Sequence, residues 1–242
     1  PLGGLALNRG RATSPASLNF PTPLSSGHNP LTDEARWGCH LAAIPRSLKL
    51  GYTLFVAVLV PAYWWQYGAA NVLWGSDVAL LVTLLGLWLE SSLLISMMAL
   101  AVLLPELAWT LDFTLRLLAG PGVIGFRGTR YMFDPLIPLF VRSLSLFHIA
   151  LPVLLLWAVH RLGYHRRALL GQTLLCWLIF SASYLVSDPQ ANINWVFGFG
   201  DTPQQWLPGP LYLLLLMLLY PLLVCVPTHL LLRRLFPRAA TR

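Results

Sequence analysis

Residues 93–118 read LLISMMALAVLLPELAWTLDFTLRLL, and this stretch decides the fold. At about 1.5 Å per residue it makes a helix about 39 Å long, enough to cross the roughly 30 Å hydrocarbon core of a bilayer. Its apolar residues fall on every face. A helix that is hydrophobic all round belongs in a large core or a membrane. Its few polar residues, Glu106, Asp112 and Arg116, are costly in hydrocarbon and are expected to face other helices.

The whole chain has the same character. Of 242 residues 57% are hydrophobic and 10% charged, against about a quarter charged in soluble domains. Mean hydropathy is +0.66. The 10 tryptophans suit a protein with two membrane–water interfaces. The length accommodates about six spans and leaves no room for a large soluble domain.

Outward from residues 93–118, polar or Pro/Gly boundaries cut five further segments. They are about Leu50–Tyr67, Val72–Glu90, Leu136–His160, Ala168–Val186 and Pro210–Leu232. The second is short. The first ends in Tyr63, Trp64, Trp65 and Tyr67, an aromatic cluster expected at an interface. The predicted fold is all-α, a polytopic transmembrane helical bundle of about six spans with a disordered N-terminal tail. Residues 1–47 form the polar tail, rich in Pro, Gly, Ser and Thr and too polar to bury a core. Residues 48–236 form the membrane domain, and 237–242 a short basic tail. The first methionine is Met97, so a processed chain or a fragment is expected.

The net charge of +7 rests on arginine, with Lys49 the only lysine. Arg36, Arg46 and Lys49 precede the first span, and Arg161, Arg166 and Arg167 separate the fourth from the fifth. Arg233, Arg234, Arg238 and Arg242 follow the sixth. With six spans these clusters share one side, which the positive-inside rule makes cytoplasmic, so both termini are expected inside. Arg127 and Arg130, in an outer loop, are the exception. No soluble basic surface exists to carry nucleic acid. Cys39, Cys176 and Cys225 lack metal-ligand spacing, so neither a metal nor another cofactor is expected.

The polar residues inside spans are the candidate site. Ser76 and Asp77 open the second span in Trp74-Gly75-Ser76-Asp77, and Glu106 follows Pro105. His148 lies in Leu146-Phe147-His148-Ile149, and Asn192-Ile193-Asn194 starts the loop after span five. Counting from the outer ends of their spans puts Glu106 and His148 at similar depth, roughly 15–18 Å. A serine needs a neighbouring base to become a nucleophile, and histidine is that base near neutral pH. Asp77 or Glu106 can orient the imidazole. A backbone N–H near Gly75, at the helix start, can receive an oxyanion. Structural readings stand beside this one. Ser76 can cap its helix, Glu106 can pair with Arg142 or Arg116, and Asp112 with Arg116 four residues on. Asn192 and Asn194 can shape a turn, and His229 can sit at the inner interface.

The order of motifs resembles the bacterial YwaF-type integral membrane proteins and their eukaryotic relatives, a phospholipid acyltransferase and the androgen-induced hydrolases of fatty-acid esters. Leu73-Trp74-Gly75-Ser76-Asp77-Val78-Ala79 resembles that family's helix start, where a Cys stands at the position of Ser76. Pro105-Glu106-Leu107 resembles its Pro-Asp-Leu. Leu144–His148 with Pro152 resembles its Phe-x-x-His helix, and Asn192–Phe197 its late Asn-Tyr-Met-Tyr loop. The chain is also similar to a group of bacterial membrane proteins carrying Trp88–Ser91, Met132–Pro135 and Asn192–Asn194. The resemblance spans roughly residues 70–200. It implies a nucleophile at Ser76, a base at His148, and residence in a bacterial inner membrane. The expected function is a lipid-ester hydrolase or acyltransferase, with catalytic Ser76, His148, Asp77 and Glu106. Asn192, Asn194 and Arg142 are expected to bind substrate. Membrane lipids, and a membrane-protein partner, are the expected partners. The alternative is a non-catalytic lipid-binding or complex-assembly subunit.

Overall fold

A computed structural model describes residues 44–122, 127–200 and 202–236. The polar tail up to residue 43, with Cys39, and the basic tail 237–242 lie outside the described residues. All described secondary structure is helical, with no strand. The helices are α1 (Arg46–Tyr67), α2 (Gly75–Trp88), α3 (Ser92–Ala119), α4 (Leu139–Leu144), α5 (Phe147–Leu162), α6 (Ala168–Val186), α7 (Gly209–Tyr220) and α8 (Val226–Leu235). Five stretches are long and apolar enough to cross a membrane: α1, α3, α6, Leu139–Leu162 and Gly209–Leu235. Together they make this an integral membrane protein.

The second span exists as the shorter α2, 14 residues, about 21 Å. The short 3-10 turn Ala69–Leu73 takes up the first residues of the expected segment, Val72 and Leu73. α2 still retraces α1 antiparallel. Lys49 Nζ meets Glu90 Oε1 at 2.6 Å and Trp88 Nε1 donates to Thr53 Oγ1 at 2.9 Å at one end, while Tyr63 and Asp77 meet around one cavity at the other. The described residues therefore run along the bundle six times, five of these stretches being long and apolar enough to cross a membrane and α2 shorter.

Contacts of the same kind bring the described parts of the basic clusters to one end. The α2–α3 turn carries Glu90, the partner of Lys49. Ser96 Oγ, one turn into α3, accepts from the His165 amide at 2.9 Å. Tyr164 in that α5–α6 turn bonds His229 Nδ1 of α8 at 2.6 Å. The start of α1, the α5–α6 turn and the end of α8 thus share one end of the bundle, termed here the basic end. His229, expected at the interface, is buried and ties α8 to that turn.

Prolines interrupt four of the spans, and their local consequences can be followed. A proline lacks an N–H, so the carbonyl four residues earlier loses its helical donor. In a membrane that carbonyl has to find a partner within the protein. Pro105 frees Ala101 O, which accepts from Tyr220 Oη at 3.1 Å. Pro221 frees Met217 O, which accepts from Trp177 Nε1 at 2.9 Å. A π-helical turn, Pro221–Cys225, follows between α7 and α8. The fourth span is split as well: α4 stops at Leu144 and α5 restarts at Phe147. Ser145 at the break shares a 2.6 Å hydrogen bond with Tyr63 Oη. Tyr63 is therefore buried and does not join the aromatic belt expected at the end of span one, whereas Trp65 there is 92% exposed.

The core lies along α3, which packs on α2, α5 and α6. Ile95, Ala99 and Leu100 of α3, with Leu87 of α2 and Leu155 of α5, are fully buried. Many leucines elsewhere, such as Leu118, Leu139 and Leu185, stay exposed. That outward apolar surface suits lipid, which asks no polar side chain of it.

Candidate functional site

Between α1, α2, α3, α5, α6 and α7 lies a cavity of about 780 Å³, within the roughly 300–1,000 Å³ typical of small-ligand sites. It is placed toward the end opposite the basic end, where α2 begins. Ser76, Asp77, Glu106, His148, Asn192 and Asn194 all line it. Six residues spread over 119 positions of sequence therefore meet in one space.

His148 and Glu106 are its central pair. His148 Nδ1 lies 2.6 Å from Glu106 Oε2. Both side chains are largely buried, 12% and 4% exposed. The pairing follows from their matching depth on adjacent helices, α3 and α5, which pack against each other. Trp109, three residues after Glu106 and so on the same face of α3, stacks on the imidazole at 4.6 Å between ring centres. Phe147 lies against it at 4.1 Å. The ring is held in one orientation, with Nδ1 on the carboxylate. No hydrogen bond engages Nε2 among the described residues.

Ser76 and Asp77 sit in the first turn of α2. Asp77 Oδ2 accepts from Asn71 Nδ2 at 3.0 Å, and Oδ1 is buried with no partner among the described residues. Ser76 makes no side-chain hydrogen bond among the described residues, to His148 or to any other group. The orienting acid of His148 is thus Glu106, and Asp77 stands apart on its own helix. The Gly75 amide, proposed from sequence to receive an oxyanion, donates instead to Asn194 Oδ1 at 2.8 Å. The amides of Ser76 and Asp77, among the first-turn donors that a helix leaves without an internal partner, make no hydrogen bond among the described residues.

Asn194 has a structural task. Besides the Gly75 amide, it donates to Leu73 O at 2.7 Å and Ser183 Oγ at 2.9 Å. It pins the start of α2 to α6 and to its own loop. Asn194 adopts φ 55° and Asn192 φ 41°, a left-handed conformation that Asn tolerates better than most residues. Asn192 donates to Gly198 O and Gly200 O and accepts from the Phe197 amide. Both side-chain amides line the cavity with their polar atoms already engaged, Asn192 within its own loop and Asn194 by Gly75, Leu73 and Ser183. Arg142 does not line it. Its Nη1 donates to Met132 O at 2.9 Å, which fixes the 3-10 turn Arg127–Phe133 against α4.

Several cavity residues gave no signal in the sequence. Tyr63 and Tyr67 of α1, Tyr131 of the α3–α4 connection and Tyr220 of α7 all reach it. Burial pushes the Tyr131 phenol well above its ordinary value, so it is a neutral hydroxyl at pH 7. Gln172 and Cys176 of α6 close the far side, with Gln172 Nε2 3.1 Å from Cys176 Sγ. Only Trp109 was findable beforehand, from its i+3 spacing to Glu106. Among the described residues no group of three or more His, Cys, Asp or Glu could hold a metal ion.

Fold and site together define a polytopic helical membrane protein with an internal, aromatic-lined cavity and a buried His–Glu pair. Comparison with family models, characterised proteins and solved structures gives no match.

Proposed function

We propose that the chain is a membrane-embedded lipid-ester hydrolase or acyltransferase, with Ser76 as nucleophile and His148 as its base. The supporting observation is the His148–Glu106 pair at 2.6 Å in a cavity that Ser76 also lines. Glu106 accepts the Nδ1 hydrogen, which makes Nε2 the basic nitrogen. When a bound ester brings Ser76 and His148 together, Nε2 takes the Oγ proton as Oγ bonds to the acyl carbon. The carbonyl oxygen gains charge beside the free amides of the α2 start. The C–O bond of the ester then breaks, and the departing alcohol takes the proton from His148. Water, or an acceptor alcohol, attacks the acyl-serine with His148 again as base; the acyl–Oγ bond breaks, His148 returns the proton to Oγ, and a free acid or a new ester leaves. General-base assistance of this kind contributes about 10²–10⁴-fold.

The membrane is a bacterial inner membrane in this reading, as the resemblance implies. The positive-inside rule places the basic end, and with it both ends of the described chain, in the cytoplasm. The cavity then opens toward the outer leaflet, where membrane lipids supply the acyl group. Hydrolysis of a long-chain nitrophenyl ester by purified protein in nanodiscs tests the reading. Wild type turns over and Ser76→Ala does not; equal turnover by both removes Ser76 from the chemistry.

A second reading is favoured by the missing Ser76–His148 hydrogen bond. The same cavity then holds a lipid without cleaving it, as a binding or assembly subunit with a membrane-protein partner. Co-purification of a stoichiometric membrane partner, with no ester turnover, is its signature.

A further inference from the structure

We infer that the cavity selects amphiphiles carrying an ammonium group and rejects anionic headgroups. The chain as a whole has a charge of +7, yet the described lining contains no Lys or Arg and two carboxylates, Asp77 and Glu106. Glu106 has His148 as its hydrogen-bonding partner. Among the described residues Asp77, 8% exposed, has only the neutral amide of Asn71 on one oxygen and nothing on the other. A buried carboxylate without a cation is unstable unless a positive charge reaches it or it takes up a proton. Aromatic residues share the cavity with Asp77: Tyr63, Tyr67 and Trp74. Rings around a carboxylate are the surroundings in which an ammonium ion is held by cation–π attraction and by the charge itself. An anionic phosphate or sulfate meets repulsion instead, undamped in a low-dielectric site. The lining also has apolar members, Val102, Leu175, Ile179 and Phe180, which suit a hydrocarbon chain.

As a statement of substrate class, this rests on the ester-cleavage reading: the substrate is then an acyl ester of an amino alcohol. As a statement about binding it is independent of any chemistry, and the test separates the two. Three probes of equal chain length, decyltrimethylammonium, decan-1-ol and decyl sulfate, are titrated below their micellar concentrations against the protein in nanodiscs of neutral lipid, with tryptophan fluorescence as readout. The expected order is ammonium over alcohol over sulfate, with the ammonium binding at least tenfold tighter than the sulfate. Asp77→Asn reduces the ammonium preference over the alcohol to less than threefold and leaves decanol binding intact, which also shows that the variant is folded. If Asp77→Asn no longer binds decanol, Asp77→Glu replaces it and is expected to retain the preference. Equal binding of all three probes, a preference for sulfate, or a preference unchanged in Asp77→Asn overturns the inference. Ammonium preference without ester turnover overturns the hydrolase reading and leaves this one standing; turnover without charge preference does the reverse.

Discussion

Two acidic residues lie six positions apart on α3 and meet different fates. Asp112 is 5% exposed and its Oδ2 takes three donors: Arg116 Nε at 3.1 Å, the Thr129 amide at 3.3 Å and Thr129 Oγ1 at 2.5 Å. Arg116 continues to Pro121 O at 2.8 Å. The charge is cancelled within one helix, and the cluster clasps the α3–α4 connection. Glu106 is equally buried, but its partner is a histidine that carries charge only when protonated, and it faces a cavity. The difference lies in what surrounds each carboxylate, since burial and helix are shared. A permanently charged arginine makes Asp112 scaffold; an imidazole beside open space is what supports the proposed role of Glu106 in chemistry.

That contrast is breakable by mutation. The largest effect is on turnover. His148→Gln keeps an amide donor for Glu106 but no base, so ester hydrolysis falls about 10²–10⁴-fold while the melting temperature stays close to wild type. A large loss of melting temperature instead would make His148–Glu106 a scaffold pair like Asp112–Arg116. Arg116→Ala is the converse case. Removing one partner of a buried ion pair costs about 3–5 kcal/mol, so thermal unfolding in detergent moves down sharply. An unchanged melting temperature would show the clasp to be dispensable.

A smaller effect sharpens the role of the prolines around the cavity. Tyr220→Phe leaves Ala101 O, freed by Pro105, without its donor, at about 1–3 kcal/mol for an unsatisfied buried carbonyl. Denaturation measurements with and without this change check it. The smallest effect is at the basic end. The Lys49 ammonium, bonded to Glu90 at 2.6 Å, holds that carboxyl below its ordinary range, helped by the Ile44 amide and opposed by partial burial. A depressed folded-state value means that this stabilisation is present above the unfolded value of about 4.3 and is lost as pH falls through the folded one. Glu90→Gln therefore lowers stability at pH 7 by about 0.2–1 kcal/mol. The deficit shrinks below about pH 4, and a deficit that persists at pH 2–3 would contradict the assignment.

Much of this arrangement was legible in the sequence, because it follows from spacing along helices. Apolar length sets the spans. The four-residue interval gives Asp112–Arg116, and depth counting places Glu106 level with His148. Contacts that join distant segments left no such trace. Asn194 holds Gly75 across 119 positions, and nothing local distinguishes that from a turn-forming asparagine. Tyr63 reads as an interfacial anchor until the break at Ser145 supplies its partner. The uncompensated state of Asp77 is likewise a property of what packs around it.

The central claim, that His148 activates Ser76, is tested most directly by a fluorophosphonate probe with the adduct mapped by mass spectrometry. The account predicts a single adduct at Ser76 in wild type, strongly reduced in His148→Gln and absent in Ser76→Ala. An adduct on another residue, no adduct at all, or equal labelling of Ser76 in the His148→Gln protein would contradict it.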